Sequence, residues 1–309
     1  MPTTQPAVLS FLAPKYWPTW FGLAILRITV FLPYQVQMWL GRQLGYLSYA
    51  LMPQRKNIVE TNIRLCFPEL NRAEQKVLIK KSIASTGMAI FETGISWWAS
   101  KQTLMKLHKL DGLEHLNKAL TKGKGAIILA SHFTTLEIGG TFLAQHIDNL
   151  NVVYKRAHNP LFEYFIRTKR TENGATLINH KKVREIIRCL KNNNVAWYSP
   201  DQDFGEKDSV FAPFMGISTC TLISTQRLAQ ISGAAVIPLH IERPSEGSVY
   251  KFHFSPAIEN FPSDDSVLDA TAINHAIEEQ ITVTPEQYLW AHRRFKSRPD
   301  GEPDFYSKR

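Results

Sequence analysis

The middle of the chain alternates short apolar runs with amphipathic segments, and this alternation restricts the fold more than any other feature. Apolar runs typical of buried strands lie at 125–130, 151–154, 175–178, 195–198, 235–241 and 250–254. Helical periodicity predicts helices at 73–99, 136–146, 160–171, 181–191, 221–231 and 267–283. Strands that are apolar throughout and alternate with helices indicate an α/β fold with a mainly parallel central sheet flanked by helices on both faces.

Polar clusters follow three of the predicted strands. They are Ser131-His132, the segment 155–159 and the segment 200–203. Ligands of such sheets bind beyond the carboxyl ends of the strands, and parallel strands bring those ends to one edge. We therefore expect an active site where the three clusters meet.

His132 and Glu137 are the most specific pair in these clusters. Four residues separate them, and five positions along a helix correspond to a rotation of about 140°. We therefore expect His132 in the turn after the strand and Glu137 in the first helical turn, where the carboxylate can reach the imidazole. A histidine supported in this way can take a proton from an alcohol. Alternatively, Thr134 and Glu137 form a capping box, in which the carboxylate only accepts a backbone N–H.

The sequence shows no clear protein nucleophile and no convincing metal site. The segment 216–220 lacks the last glycine of a nucleophile elbow, and Cys66, Cys189 and Cys220 are too scattered for a zinc site or a disulfide framework. Asp201 and Asp203 form a carboxylate pair that suits a metal, but we favour a polar turn with side-chain to backbone hydrogen bonds. Direct attack by a substrate hydroxyl is therefore the simpler prediction.

The N-terminal part of the chain suggests contact with a membrane. Residues 16–41 contain a single charged residue, Arg27, and about 20 apolar residues suffice to cross a bilayer. Arg27 and Pro33 argue against deep, straight burial. We predict that residues 1–55 form a membrane anchor, spanning or embedded, and that residues 56–309 form a domain on the cytoplasmic side. The alternative is an apolar helix pair packed on the core.

The net charge of +9 favours acidic partners. Arg156 and Arg170 lie on or near the second strand and the helix after it, where they either bind phosphate or face solvent. The segment 285–296 interleaves aromatic and basic residues. It either binds RNA by stacking or forms a terminal helix whose apolar residues pack on the sheet, and we favour packing.

Together these residues resemble a known family. The pattern of His132 and Glu137 resembles the His-x4-Asp/Glu signature of glycerolipid acyltransferases. Three further segments, at 154–161, 201–216 and 285–299, resemble the late acyltransferases of bacterial lipid A synthesis, the lauroyl/myristoyl group. The resemblance implies an inner-membrane enzyme with its site on the cytoplasmic side. Its donor would be a fatty acyl thioester on acyl carrier protein, and its acceptor a hydroxyl of a 3-hydroxyacyl chain on a lipid A precursor.

The resemblance also implies roles for individual residues. His132 would take the hydroxyl proton while Glu137 orients it, and Arg170, Arg156 and Asp201 would bind substrate. We expect no cofactor, no metal and no nucleic acid partner. We do expect the protein to contact inner-membrane lipids. Two alternatives stay open: a membrane-bound acyl-thioester hydrolase, and an acyltransferase with another glycolipid or glycerolipid acceptor.

Overall fold

A seven-stranded sheet forms the centre of the computed structural model, which describes residues 8–307. The sheet contains β1 (His108–Asp111), β2 (Ala126–Leu129), β3 (Leu150–Tyr154), β4 (Thr176–Asn179), β5 (Val195–Tyr198), β8 (Ala235–Glu242) and β9 (Tyr250–Phe254). Their order is β1-β9-β8-β2-β5-β3-β4. All neighbours from β8 to β4 pair in parallel, while β9 is antiparallel to β8 and parallel to β1. The predicted mainly parallel sheet is confirmed, and β1 is a strand that the sequence did not indicate.

A separate hairpin of β6 (Ser209–Phe214) and β7 (Ile217–Leu222) was also not predicted. Its two-residue turn has positive φ at both Met215 and Gly216, as a tight hairpin turn requires. Proline is disfavoured in strands, so Pro213 hides the strand character of β6. The helix predicted from residue 221 begins only at Ser224, because β7 occupies the preceding residues.

Helices cover both faces of the sheet. They are α1 (Trp17–Thr29), α2 (Tyr34–Leu51), α3 (Pro53–Cys66), α4 (Arg72–Trp98), α5 (Lys101–Lys106), α6 (Leu113–Leu120), α7 (Leu136–Leu143), α8 (Pro160–Glu172), α9 (Val183–Lys191), α10 (Ser224–Ser232) and α11 (Ser266–Val283). In β2, Ile127 and Leu129 belong to one hydrophobic cluster and Ala126 and Ile128 to another. Alternate residues of a strand point to opposite faces, so the two clusters are the cores above and below the sheet.

The N-terminal apolar stretch forms two helices, which separate at Pro33. Proline cannot continue a helix and restricts the residue before it. Within residues 8–307, no helix combines the length and the apolar character needed to cross a bilayer. A spanning anchor is therefore not found there, and an embedded anchor remains a prediction.

Helix α2 packs closely on α4, as the alternative of a packed helix pair expected. A methyl group added at Gly87 would come within 2.1 Å of the Gly41 carbonyl oxygen, so the contact tolerates no side chain. The outer surface of α1, of α2 and of the turn between them nevertheless exposes large apolar side chains, among them Phe21 (69%) on α1 and Phe31 (78%) in the turn.

The predicted C-terminal helix is replaced by a short 3₁₀ turn, Pro285–Gln287, and irregular chain. Tyr288 and Trp290 are buried in the core, as the packing interpretation expected. The Thr134 N–H donates to the Gln287 carbonyl at 2.8 Å, and the Leu289 N–H donates to the His132 carbonyl at 2.9 Å. These backbone bonds to the loop after β2 replace the helical ones and bring the C-terminal segment beside His132.

Candidate active site

His132 and Asp201 meet at the carboxyl edge of the sheet. Strands β2 and β5 are parallel neighbours with Leu129 opposite Tyr198, and each of the two residues lies three positions beyond its strand. The imidazole Nδ1 lies 2.6 Å from Asp201 Oδ1, and the backbone N–H of His132 donates to Asp201 Oδ2 at 2.9 Å. Both carboxylate oxygens therefore hold the same histidine.

The Asp201 carboxylate is ionised and supports a positive charge on the imidazole. Burial disfavours its charge, but attraction to His132 and the two hydrogen bonds from it lower the pKa of Asp201 to about 2. Burial likewise opposes charge on His132, and attraction to Asp201 outweighs it and raises the pKa of the imidazole. An ionised Asp201 needs a proton on Nδ1, so the neutral ring carries its lone pair on Nε2.

The other side of the His132 ring is accessible. The His132 side chain is 29% exposed and that of Asp201 only 1%, and Nε2 makes no hydrogen bond to the described residues. His292 lies edge-on to the ring, with the centroids 5.7 Å apart, and contacts Gln202. Burial and the neighbouring His132 lower the pKa of His292 to about 4, so it adds no positive charge at neutral pH.

Glu137 lies in the first turn of α7, as predicted, but its carboxylate has other partners. Its hydrogen bonds within residues 8–307 come from Arg170 and from Trp97. Arg170 Nη2 lies 2.5 Å from Glu137 Oε2, and Trp97 Nε1 lies 2.8 Å from Oε1. Burial opposes ionisation, but the Arg170 charge lowers the pKa of Glu137. The imidazole thus donates its Nδ1 hydrogen bond to Asp201 rather than to Glu137, the predicted acceptor.

The capping-box alternative for Glu137 is also wrong. The N-cap of α7 is Thr135, whose side chain makes no capping hydrogen bond. Arg170 offers the Glu137 carboxylate a charged donor, which is a stronger partner than a backbone N–H. A small apolar cavity adjoins the ion pair; it is lined in part by Leu136, Gly140, Val152 and Trp197.

The remaining predicted residues are distributed around the same edge. Arg156 is exposed after β3, the strand next to β5, and forms no ion pair with the described residues. Asp203 accepts from the Gly205 N–H at 2.8 Å and from the Ser297 N–H at 2.6 Å, which confirms the polar turn for Asp203, whereas Asp201 holds His132. Residues 8–307 contain no group of three potential ligands able to hold a metal ion.

The sequence did not indicate Trp97 or His292 as part of the site. Trp97 lies at the end of α4, where an aromatic residue on a helix is ordinarily read as core. His292 lies in the C-terminal segment, whose aromatic and basic pattern suggested packing. No local sequence pattern marks either residue as part of the site, because both are brought there by tertiary contacts.

Fold and site together define an α/β protein with a carboxylate-held imidazole at the carboxyl edge of its sheet, an arrangement that is chemically able to accept a proton. A profile of the family described as bacterial lipid A biosynthesis acyltransferase matches residues 6–297. The lipid A biosynthesis palmitoleoyltransferase of Escherichia coli K12 is 35% identical over 297 residues, which cover 96% of each chain. The lauroyltransferase of that strain is 34% identical over 96% of this chain and 97% of its own. Its myristoyltransferase is 24% identical over 97% and 93%.

The chain therefore belongs to the bacterial lipid A biosynthesis acyltransferase family. It is an enzyme that transfers an acyl group in lipid A biosynthesis. The family resemblance seen in the sequence is confirmed.

Proposed function

We propose that this enzyme transfers a fatty acyl chain from acyl carrier protein to a hydroxyl of a 3-hydroxyacyl chain on a lipid A precursor. The observation that carries the proposal is the 2.6 Å contact between His132 Nδ1 and the buried Asp201. It leaves a basic Nε2 at an accessible position on the sheet edge where ligands bind. The names of the relatives, a palmitoleoyltransferase and a lauroyltransferase of lipid A biosynthesis, support transfer of a fatty acyl chain in that synthesis.

In the proposed reaction, His132 Nε2 removes the proton of the acceptor hydroxyl as its oxygen attacks the thioester carbonyl. The bond from carbonyl carbon to sulfur then breaks, and the imidazolium returns the proton to the leaving thiolate. Asp201 stabilises the imidazolium in between and keeps the ring in the required tautomer. A thioester has a good leaving group, so the reaction needs no protein nucleophile.

Glu137 and Arg170 have a different task in this proposal. Glu137 orients the guanidinium through Nε and Nη2, and Arg170 Nη1 makes no hydrogen bond to the described residues. The Arg170 side chain is 18% exposed, so Nη1 is free to donate to the developing oxyanion or to a substrate phosphate. Exposed Arg156 supplies a second cation at the same edge.

We further propose that the apolar surface of α1, α2 and the turn between them rests in the cytoplasmic face of the inner membrane. Phe21, Ile28 and Phe31 are each more than 60% exposed, and aromatic and cationic residues such as Trp17 and Lys15 suit the headgroup region. This keeps the proposed division into an anchor at 1–55 and an acyltransferase domain at 56–309. It also brings the site to a lipid acceptor that is insoluble in water.

The test combines mass spectrometry of lipid A with a product analysis. Cells that express the intact enzyme should contain a lipid A species heavier by one acyl chain, and cells with His132→Ala should lack it. With purified enzyme and labelled acyl carrier protein, the label should appear as an ester on the lipid. Release of the label as free fatty acid would instead identify a hydrolase, and full activity of His132→Ala would reject the mechanism.

A further inference from the structure

A second buried polar cluster lies behind the loop that carries His132, and the proposed reaction does not use it. Its centre is the ion pair of Arg243 and Glu92, whose side chains are 4% and 1% exposed. Arg243 Nε donates to Glu92 Oε1 at 2.5 Å, and Nη2 donates to Oε2 at 2.6 Å. Glu92 belongs to α4, and Arg243 follows β8 directly.

The guanidinium also contacts the His132 loop. Arg243 Nη2 donates to Thr134 Oγ1 at 3.1 Å, and Nη1 donates to Ser85 Oγ at 2.6 Å. Ser85 and Thr134 share a further hydrogen bond of 2.7 Å. Thr134 is two residues beyond His132 in the loop between β2 and α7, so the ion pair is joined to the general base by a single short segment.

The backbone of Arg243 ties in the C-terminal segment as well. Its N–H donates to Gln287 Oε1 at 2.8 Å, and its carbonyl accepts from Gln287 Nε2 at 3.1 Å. Gln287 in turn accepts the N–H of Thr134 at 2.8 Å. Three separate parts of the chain, α4, the end of β8 and the C-terminal segment, therefore meet at one threonine.

We propose that Arg243, paired with Glu92, is a positioning residue that acts through Thr134 to hold His132 on Asp201. A buried ion pair is a poor device for stability alone, because desolvation of both charges offsets their attraction, but it imposes geometry. General-base transfer depends on that geometry, since a displacement of about 1 Å can reduce a rate by about 100-fold. The catalytic consequence rests on the proposed function, whereas the effect on the imidazole does not.

The most selective variant is Thr134→Val, which removes the hydroxyl and keeps the shape of the side chain. We expect kcat for acyl transfer to fall about tenfold with KM unchanged, because the substrate-binding groups stay in place. The alignment of His132 with Asp201 should weaken, so the imidazole pKa should fall by about half a unit to one unit. The acid limb of the kcat profile should then shift to lower pH.

Thr225→Val is the control for this variant. Thr225 is buried on α10, and its hydroxyl has no hydrogen-bond partner among the described residues.

A second variant separates positioning from stability. Glu92→Leu combined with Arg243→Met replaces the ion pair by apolar groups, and the hydroxyls of Ser85 and Thr134 remain bonded to each other. The buried Tyr250 hydroxyl loses Glu92 as its acceptor but keeps the Tyr34 hydroxyl as a partner. We expect its melting temperature to stay near that of the intact enzyme, while kcat falls as in Thr134→Val.

The pKa of His132 is read by NMR of ring-labelled histidine without substrate, with the signal assigned by loss in His132→Ala. The titration therefore reports on positioning even if the intact enzyme transfers no acyl chain, in which case the proposed function fails separately. An unchanged pKa in both folded variants would overturn the inference. The inference would also be overturned if kcat fell only in proportion to a fall in melting temperature and the acid limb of the kcat profile did not shift.

Discussion

Replacement of Asp201 by asparagine is the sharpest test of the proposed base. The change removes one negative charge and leaves the side-chain volume nearly unchanged. In the intact enzyme, the carboxylate accepts from both Nδ1 and the backbone N–H of His132. An asparagine amide can still accept the backbone N–H, but its NH₂ would then face Nδ1 and favour the proton on Nε2. That tautomer cannot accept a proton from the acceptor hydroxyl.

The expected loss follows from the charge removed. Unit charges about 4 Å apart attract by about 4 kcal/mol at an effective dielectric constant of about 20. A rate changes tenfold for about 1.4 kcal/mol, so loss of the attraction to the imidazolium should lower kcat by about 10³-fold. The 29% exposure of His132 makes this an upper figure, because solvent screens part of the attraction. The substrate contacts are unchanged, so KM should stay within about threefold.

The assay is transfer of labelled acyl chains from acyl carrier protein to the lipid acceptor, measured from about pH 5 to 9. A general base acts when neutral, so the rate of the intact enzyme should rise through the raised pKa of His132. In Asp201→Asn, the residual rate should still increase with pH, but the increase should be centred at a lower pH than in the intact enzyme. Asp208→Asn is the matched control, because Asp208 is exposed and pairs only with Arg227 among the described residues. If Asp201→Asn kept more than about a third of the intact rate, the assignment of His132 and Asp201 would be refuted.

Further predictions concern the ion pair, stability and the membrane surface. Glu137→Gln should lower kcat by about 10- to 100-fold, because Arg170 loses its orienting partner, and the same transfer assay checks this. The folded pKa of Asp201, about 2, lies below its unfolded value of about 3.9. Its stabilisation is therefore present above about pH 4 and lost towards pH 2, so urea unfolding should show the difference between intact enzyme and Asp201→Asn shrinking over that range. Phe21→Ser with Phe31→Ser should reduce partitioning onto anionic vesicles about tenfold in a flotation assay, whereas loss of exposed Leu268 on α11 should not. Gly87→Ala should lower the melting temperature by several degrees, because its methyl would collide with backbone of α2; an unchanged value would mean that α2 moves freely.

Local sequence was sufficient where local interactions decide the structure. The apolar runs of β2 and β5 and the helix of Glu137 follow from periodicity, and the position of His132 in a turn follows from the end of its strand. Strand character could not be read in β6, because Pro213 contradicts it locally while pairing with β7 supports it.

The sequence did not allow us to predict which carboxylate contacts the His132 imidazole. Five positions separate Glu137 from His132, whereas Asp201 is 69 positions away. Proximity in sequence therefore favoured the wrong carboxylate. The choice was made by strand order, because β2 and β5 are neighbours and equal three-residue extensions bring both side chains to one point.

The chain by itself determined most of its central strands and flanking helices, the polar clusters after its strands and its family, because these depend on residue types over short spans. Only the tertiary structure decided that Asp201 holds His132, that Arg170 holds Glu137, and that Arg243 reaches Glu92 across 151 positions. Such pairings depend on which strands and helices become neighbours, and that is settled by burial of the whole apolar surface rather than by any one segment.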